Sequence, residues 1–112
     1  MSAATLEQAE ALSSIAFGIR LESARIALGL TPEDMQQLFG VTKGTYSGYI
    51  HGRFYPGPDK LYALVQKGIS VDWLYYGIDT ALTVKMANAL SDASAEAAEL
   101  IANPQTGRRK AK

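Results

Sequence analysis

The stretch from Leu30 to Gly52, LTPEDMQQLFGVTKGTYSGYIHG, leaves the backbone few choices. Thr31 is suited to N-cap a helix, and Pro32 to its first position, where a missing N–H would be unpaired in any case. Glu33 and Asp34 place negative charge in the first turn, where the helix dipole favours it, and Thr31 with Asp34 approximates a capping box. Met35, Leu38 and Phe39 share one face, and Gly40 follows at once, as expected of a helix C-cap. Thr42 caps a second helix running from Lys43 to His51. There Tyr46, Tyr49 and Ile50 share a face at i, i+3, i+4 spacing, and Gly52 closes the element. The pattern is two short helices joined by a tight glycine turn.

Such a pair, linked by roughly 3–4 residues including glycine, matches the helix-turn-helix, whose second helix enters the major groove of DNA. The flanking segments carry the match further. RIALGL (Arg25–Leu30) resembles the end of the preceding helix in the lambda-repressor/Cro-like (XRE) helix-turn-helix family. GISVDWLYYG (Gly68–Gly77) resembles the Gly-Val-Ser-x-Asp-Trp-Leu element that closes many phage-repressor DNA-binding domains. The resemblance runs from Arg20 to Gly77. It implies an all-α fold, a five-helix lambda-repressor-like domain, here with an additional C-terminal helix.

Composition bounds the rest. A chain of 112 residues holds one modest core. It has no cysteine, which excludes disulfides and cysteine metal sites, and its single histidine, His51, makes no metal site alone and reads as a surface residue at a helix end. No metal and no cofactor are expected. Neither a long apolar run nor a basic-then-apolar leader is present, so no membrane association and a cytoplasmic location are expected. Formal net charge is zero, which does not announce a nucleic-acid binder. The distribution does more: residues 43–67 carry Lys43, Arg53, Lys60 and Lys67 against Asp59 alone, and Arg108, Arg109, Lys110 and Lys112 end the chain. Acidic residues gather elsewhere, at Glu7, Glu10, Asp92, Glu96 and Glu99.

Along the chain, residues 1–78 read as the helix-turn-helix domain with an N-terminal helical extension. Helix is expected over 5–28, with Leu12, Ile15, Ala16 and Ile19 on one stripe, continued by Leu21, Ala24 and Leu28, and with Gly18 marking either a break or close packing. RFYPGPDK is a loop. A helix follows through Leu61, Leu64 and Val65, then a short one from Val71 to Tyr76 in which Trp73 and Leu74 plug the core. Tyr46, Tyr49 and Tyr62 read as core; Phe54 and Tyr55 read as exposed. Residues 79–103 form a C-terminal helix in which Met86, Leu90, Ala93, Ala97 and Leu100 step by 4, 3, 4, 3, the seam of a coiled coil. That seam is either a dimerisation element or a face packed on its own domain. Residues 104–112 form a basic flexible tail, either a solubilising end or an arm for phosphates.

In proteins similar to this one, the positions matching Lys43, Gly44 and Gly48 commonly read bases, and that matching Thr45 touches the backbone. The resemblance implies that Lys43 reaches guanine O6 and N7. It also implies that Thr45 and Ser47 bond phosphates or bases, and that Arg53 and Tyr55 hold the flanking backbone. The N-terminus at Thr31 presents N–H groups to a phosphate. With Thr42 and His51, the candidate DNA-binding set is Thr31, Thr42, Lys43, Gly44, Thr45, Ser47, Gly48, His51, Arg53 and Tyr55. Gly44 and Gly48 bare the centre of the reading face. Either the helix backbone nears the groove floor, or base readout has been lost and the helix contacts protein. Pro32 stands where the family often has glutamine, Gln36 where it has a small alanine, and Ile50 where it has a glutamate paired with the arginine matching Arg25. Arg25 must then find Glu22, water or a phosphate.

The function expected is a repressor-like, sequence-specific transcriptional regulator that binds double-stranded DNA as a homodimer on an inverted repeat. The alternative is a helix-turn-helix module repurposed to capture another regulatory protein. No nucleophile–base pair or phosphate loop is legible, so no enzyme is expected. The resemblance implies a phage, prophage or mobile-element origin. The longer repressors it resembles carry a second, self-cleaving domain for which this chain has no room. Switching is then expected from a partner, from proteolysis or from protein level.

Overall fold

The structure, a computed structural model, describes residues 13–103. It is all-helical over that range, with α1 Ser14–Ala27, α2 Pro32–Phe39, α3 Lys43–Ile50, α4 Pro58–Val65, α5 Val71–Tyr76 and α6 Val84–Ala102. Most helix starts are set by a side chain that the sequence puts in place. Ser13, Thr31, Thr42, Ser70 and Thr83 each accept a backbone N–H three residues on. At α2 the capping box is complete, with Asp34 N–H on Thr31 Oγ1 at 3.0 Å and Thr31 N–H on Asp34 Oδ2 at 2.9 Å. These bonds hold the Asp34 carboxyl below its ordinary range, the backbone bond from Thr31 first. Gly40, at φ 66°, ends α2 in the left-handed conformation that a residue with a Cβ adopts only at a cost, and so fixes the turn into α3.

α1 is the central element, packed by α3, α5 and α6, while α2 packs on α3 and α4. The core is one cluster that includes Phe17, Leu21, Met35, Phe39, Tyr46, Leu64, Ile69, Leu74 and Leu90. α1 runs unbroken through Gly18. Its inner face is Phe17, Leu21 and Ala24, so the stripe through Ile15, Ala16 and Ile19 was misplaced: Ile15 is 64% exposed and the other two are half-buried. Because α1 is covered on several sides, its apolar residues do not form a single stripe. Leu12 and the expected start of the helix lie outside the described residues, as does the tail from Pro104. Tyr62 also departs from expectation, at 62% exposed. On α4 the inward residues are Leu61 and Leu64, which leaves Tyr62, about 100° round the helix, facing out with Val65. Leu74 is fully buried, whereas Trp73 is only half-buried.

Leu90, Ala93 and Ala97 are buried within the chain, and α6 packs chiefly along α1. In this chain Leu90, Ala93 and Ala97 face the same domain, and Met86 and Leu100 are half-buried beside them. Alanine at 93 and 97 permits this close approach.

Two interactions seat α3. Gly18 lies so close to the end of α3 that a Cβ there would overlap the Ile50 carbonyl oxygen. The second is a buried network. Glu22 takes a two-pronged bond from Arg25, Nε on Oε1 at 2.9 Å and a terminal nitrogen on Oε2 at 3.1 Å. Tyr46 of α3 donates its hydroxyl to the same Glu22 Oε1 at 2.6 Å. Arg25 also donates to the Leu30 carbonyl at 2.8 Å, so the network ties α1, the α1–α2 turn and α3 together. Burial, then the charge of Glu22, pushes the Tyr46 phenol far up. For Arg25 burial acts downward, but the bonds and charge of Glu22 outweigh it and raise the guanidinium. The partner of Arg25 is thus supplied by its own helix, in place of the residue at Ile50.

Gly18→Ala is expected to destabilise the fold by about 1–3 kcal/mol, since the opposing atoms are backbone and the intrinsic helix gain of alanine does not offset the overlap. Tyr46→Phe is expected to cost about 2 kcal/mol, the loss of a bond to a buried charge. Urea midpoints at unchanged slope check both.

Candidate nucleic-acid interface

α3 separates its residues cleanly. Tyr46 and Tyr49 are buried against the ring of Phe39, with centroids 6.3 and 6.1 Å away. Thr42, Lys43 and Gly44 are exposed at its N-terminal end, and Thr45, Ser47 and His51 are partly exposed along it. Arg53 and Tyr55 are exposed in the following loop. The structure therefore leaves these eight of the ten sequence-derived candidates at least partly exposed on α3 or its flanks.

Their hydrogen bonds define what each has left to offer. Thr42 Oγ1 accepts the Thr45 N–H at 3.1 Å and donates to Thr45 Oγ1 at 3.1 Å, which leaves the Thr45 hydroxyl proton for an outside acceptor. His51 Nδ1 lies 2.8 Å from the Ser47 carbonyl and 3.3 Å from its hydroxyl. A carbonyl only accepts, so this contact calls for a proton on Nδ1. The α3 N-terminus bears no acidic residue and is led by Lys43, so it attracts anions. The α2 N-terminus differs. Its Thr31 N–H and hydroxyl are spent on Asp34, and the carboxylates of Glu33 and Asp34 repel phosphate. Thr31 is the member of the set that the geometry suits least.

The two glycines of α3 turn out to be unalike. Gly44 is exposed, and a Cβ added there would find only Thr42 Oγ1, 4.0 Å away. No packing among the described residues requires glycine at this position, and its helical backbone does not either. Gly48 was expected to face outward with Gly44, but it is buried. The ring of Phe54 stands over it, and a Cβ at Gly48 would lie 2.6 Å from Cε1 and 3.0 Å from Cε2. The ring is held edge-to-face on Tyr49 at 5.5 Å. The loop is tied back by Arg53 N–H on the Gly48 carbonyl at 2.9 Å. Phe54 is thus a neighbour of α3 that the sequence alone does not place there. The legible signal was a side-chain-free helix position followed within one loop by an aromatic residue. Tyr55 packs on Phe17 at 5.1 Å and Tyr75 at 5.7 Å, yet stays 45% exposed.

A cleft of about 430 Å³ lies elsewhere, between α1, α5 and α6, lined by Arg20, Ser23, Trp73 and Ser94 among others, with no α3 residue. Arg20 is committed there to the Leu74 and Tyr75 carbonyls, each at 3.2 Å. Among the described residues no helix is long and apolar enough to cross a membrane.

A family model described as a helix-turn-helix domain matches residues 18–80, from Gly18 within α1 through α5, and includes every α3 residue named above. Neither curated proteins nor solved structures yield a match.

Gly44→Ala is expected to stabilise the isolated protein by up to about 1 kcal/mol, because alanine gains helix propensity and meets open space. A rise in thermal midpoint checks it.

Proposed function

The chain belongs to an XRE-like helix-turn-helix family, and on that premise we propose that it is a sequence-specific DNA-binding regulator. Its role is repressor-like, exerted in the cytoplasm by occupying an inverted-repeat operator as a dimer. The observation that carries this reading is Gly44. A glycine in a helix costs about 1 kcal/mol against alanine, and nothing among the described residues packs against this one closely enough to require it. Its explanation lies outside, in a surface that comes close to the α3 backbone, as the floor of the major groove does.

The roles proposed are those the family resemblance implies, on the residues exposed around α3. Lys43 leads α3 and reaches guanine O6 and N7. Thr45 donates to a phosphate or base, and Ser47 and His51 line the same face. Arg53 and Tyr55, beyond the C-terminal end of α3, hold the flanking backbone. One such helix makes few contacts, and two half-sites about 10 base pairs apart let a symmetric pair bind tightly. The dimer contact must use a surface other than Leu90, Ala93 and Ala97, which are buried.

A second reading, capture of another regulatory protein, is favoured by the half-exposed rings of Phe54 and Tyr55 beside α3. Binding of the purified protein to its own upstream DNA, against scrambled duplex, separates the two. The regulator predicts selective binding, protection of two half-sites and an affinity that falls steeply with salt as phosphate contacts release counterions. Arg53→Ala should weaken all duplexes alike and reduce the salt slope by about one, whereas Lys43→Ala should relax preference at one base pair. Binding without salt dependence, or intact cellular activity in Lys43→Ala and Arg53→Ala, would favour the protein partner.

A further inference from the structure

We propose that Phe54 is a base-reading residue that recognises the methyl group of thymine, taking the place of the side chain α3 lacks at Gly48. The inference rests on the DNA-binding reading above and names what that face selects. The ring tip stands where a side chain at 48 would project, at the middle of the outer face, between Gly44 and His51 in helical order. Its position is fixed from two sides, by the edge-to-face contact with Tyr49 at 5.5 Å and 81° and by the Arg53 N–H on the Gly48 carbonyl. Even so it remains 47% exposed. A ring that only sealed the helix would need no glycine under it, because alanine at 48 would fill that space alone and favour the helix. The pairing of a bare helix position with a pinned, half-exposed ring places a rigid apolar surface among the polar groups of Lys43, Thr45, Ser47 and His51.

The chemistry of that surface limits what it reads. A phenyl ring offers no donor or acceptor of the kind that bonds phosphate oxygens or the polar edges of guanine, adenine and cytosine. In the major groove the apolar feature is the C5-methyl of thymine, a recognised partner of phenylalanine. Burying one methyl against the ring is worth about fourfold in affinity.

The test begins by selecting duplexes from a random pool with the intact protein, then replacing each thymine in turn by uracil, which removes only the methyl. The expected result is a loss of about fourfold at one or two thymines per half-site for the natural chain, absent in Phe54→Ala and partly retained in Phe54→Leu. General damage to the fold would weaken all duplexes equally and leave the uracil effect in place. If Phe54→Ala does not fold, Phe54→Leu, which keeps an apolar contact with Tyr49, decides by a reduced penalty at the same thymines. A uracil penalty absent from the natural chain, or equal in natural and variant proteins, would overturn the assignment of Phe54 and leave the regulator standing. Failure of the pool to enrich would overturn both.

Discussion

The placement of α3 depends on a contact in which one partner has no side chain. Gly18 brings the α1 backbone against the Ile50 carbonyl at the end of α3. A second such approach lies two residues on, where Gly52, at φ 75°, sits beside the backbone of Ser14 and Ile15. Contacts between main chains leave little room for adjustment, because neither partner can change rotamer to absorb a shift. The C-terminal end of α3 is therefore located by α1 directly, and the loop carrying Arg53, Phe54 and Tyr55 starts from a fixed point. Groups meant to meet a rigid duplex need this kind of support, since a small displacement breaks a bidentate bond.

The buried network does a different job. A carboxylate as enclosed as Glu22 survives only if its charge and lone pairs are answered, and Arg25 and Tyr46 answer them. Such a network contributes less to net stability than apolar packing of equal volume would, because its members must first leave water. What it supplies here is angular definition. Tyr46 cannot rotate away from Glu22 without orphaning a buried charge, so the rotation of α3 about its own axis, and hence which residues face out, is specified. The position α1 controls through Gly18 and the rotation it controls through Glu22 are separate constraints on one helix.

What was legible in the sequence was the part written in local chemistry. The capping box at Thr31 and Asp34, the left-handed turn at Gly40 and the inward faces of α2 and α3 are decided by neighbours a few residues away, and each formed as read. The errors share a different origin. Ile15 and Tyr62 are apolar or aromatic residues at helical spacing, and spacing alone does not say which face a third helix covers. The step of Leu90, Ala93 and Ala97 looks the same whether its partner is α1 or a second chain. Glu22 and Tyr46, 24 residues apart, were not read as a pair because nothing local links them. In the candidate interface, the polar groups around α3 were readable from the motif, whereas Phe54 was not, since its role exists only once the loop folds back over Gly48.

Gly44 and Gly48 make the same point within a single helix. In the sequence they are one signal, two missing side chains on one face, and one explanation was sought for both. In the folded chain their surroundings are opposite: space beside Gly44 is open, and space beside Gly48 is filled by a ring from another segment. The cost to the helix is the same at each, but the compensation is not. At Gly48 the ring of Phe54 occupies the space the missing side chain leaves. At Gly44 nothing among the described residues compensates, so the helix there is less stable than alanine would make it. Departures from local consistency of this kind concentrate where a protein meets its ligand.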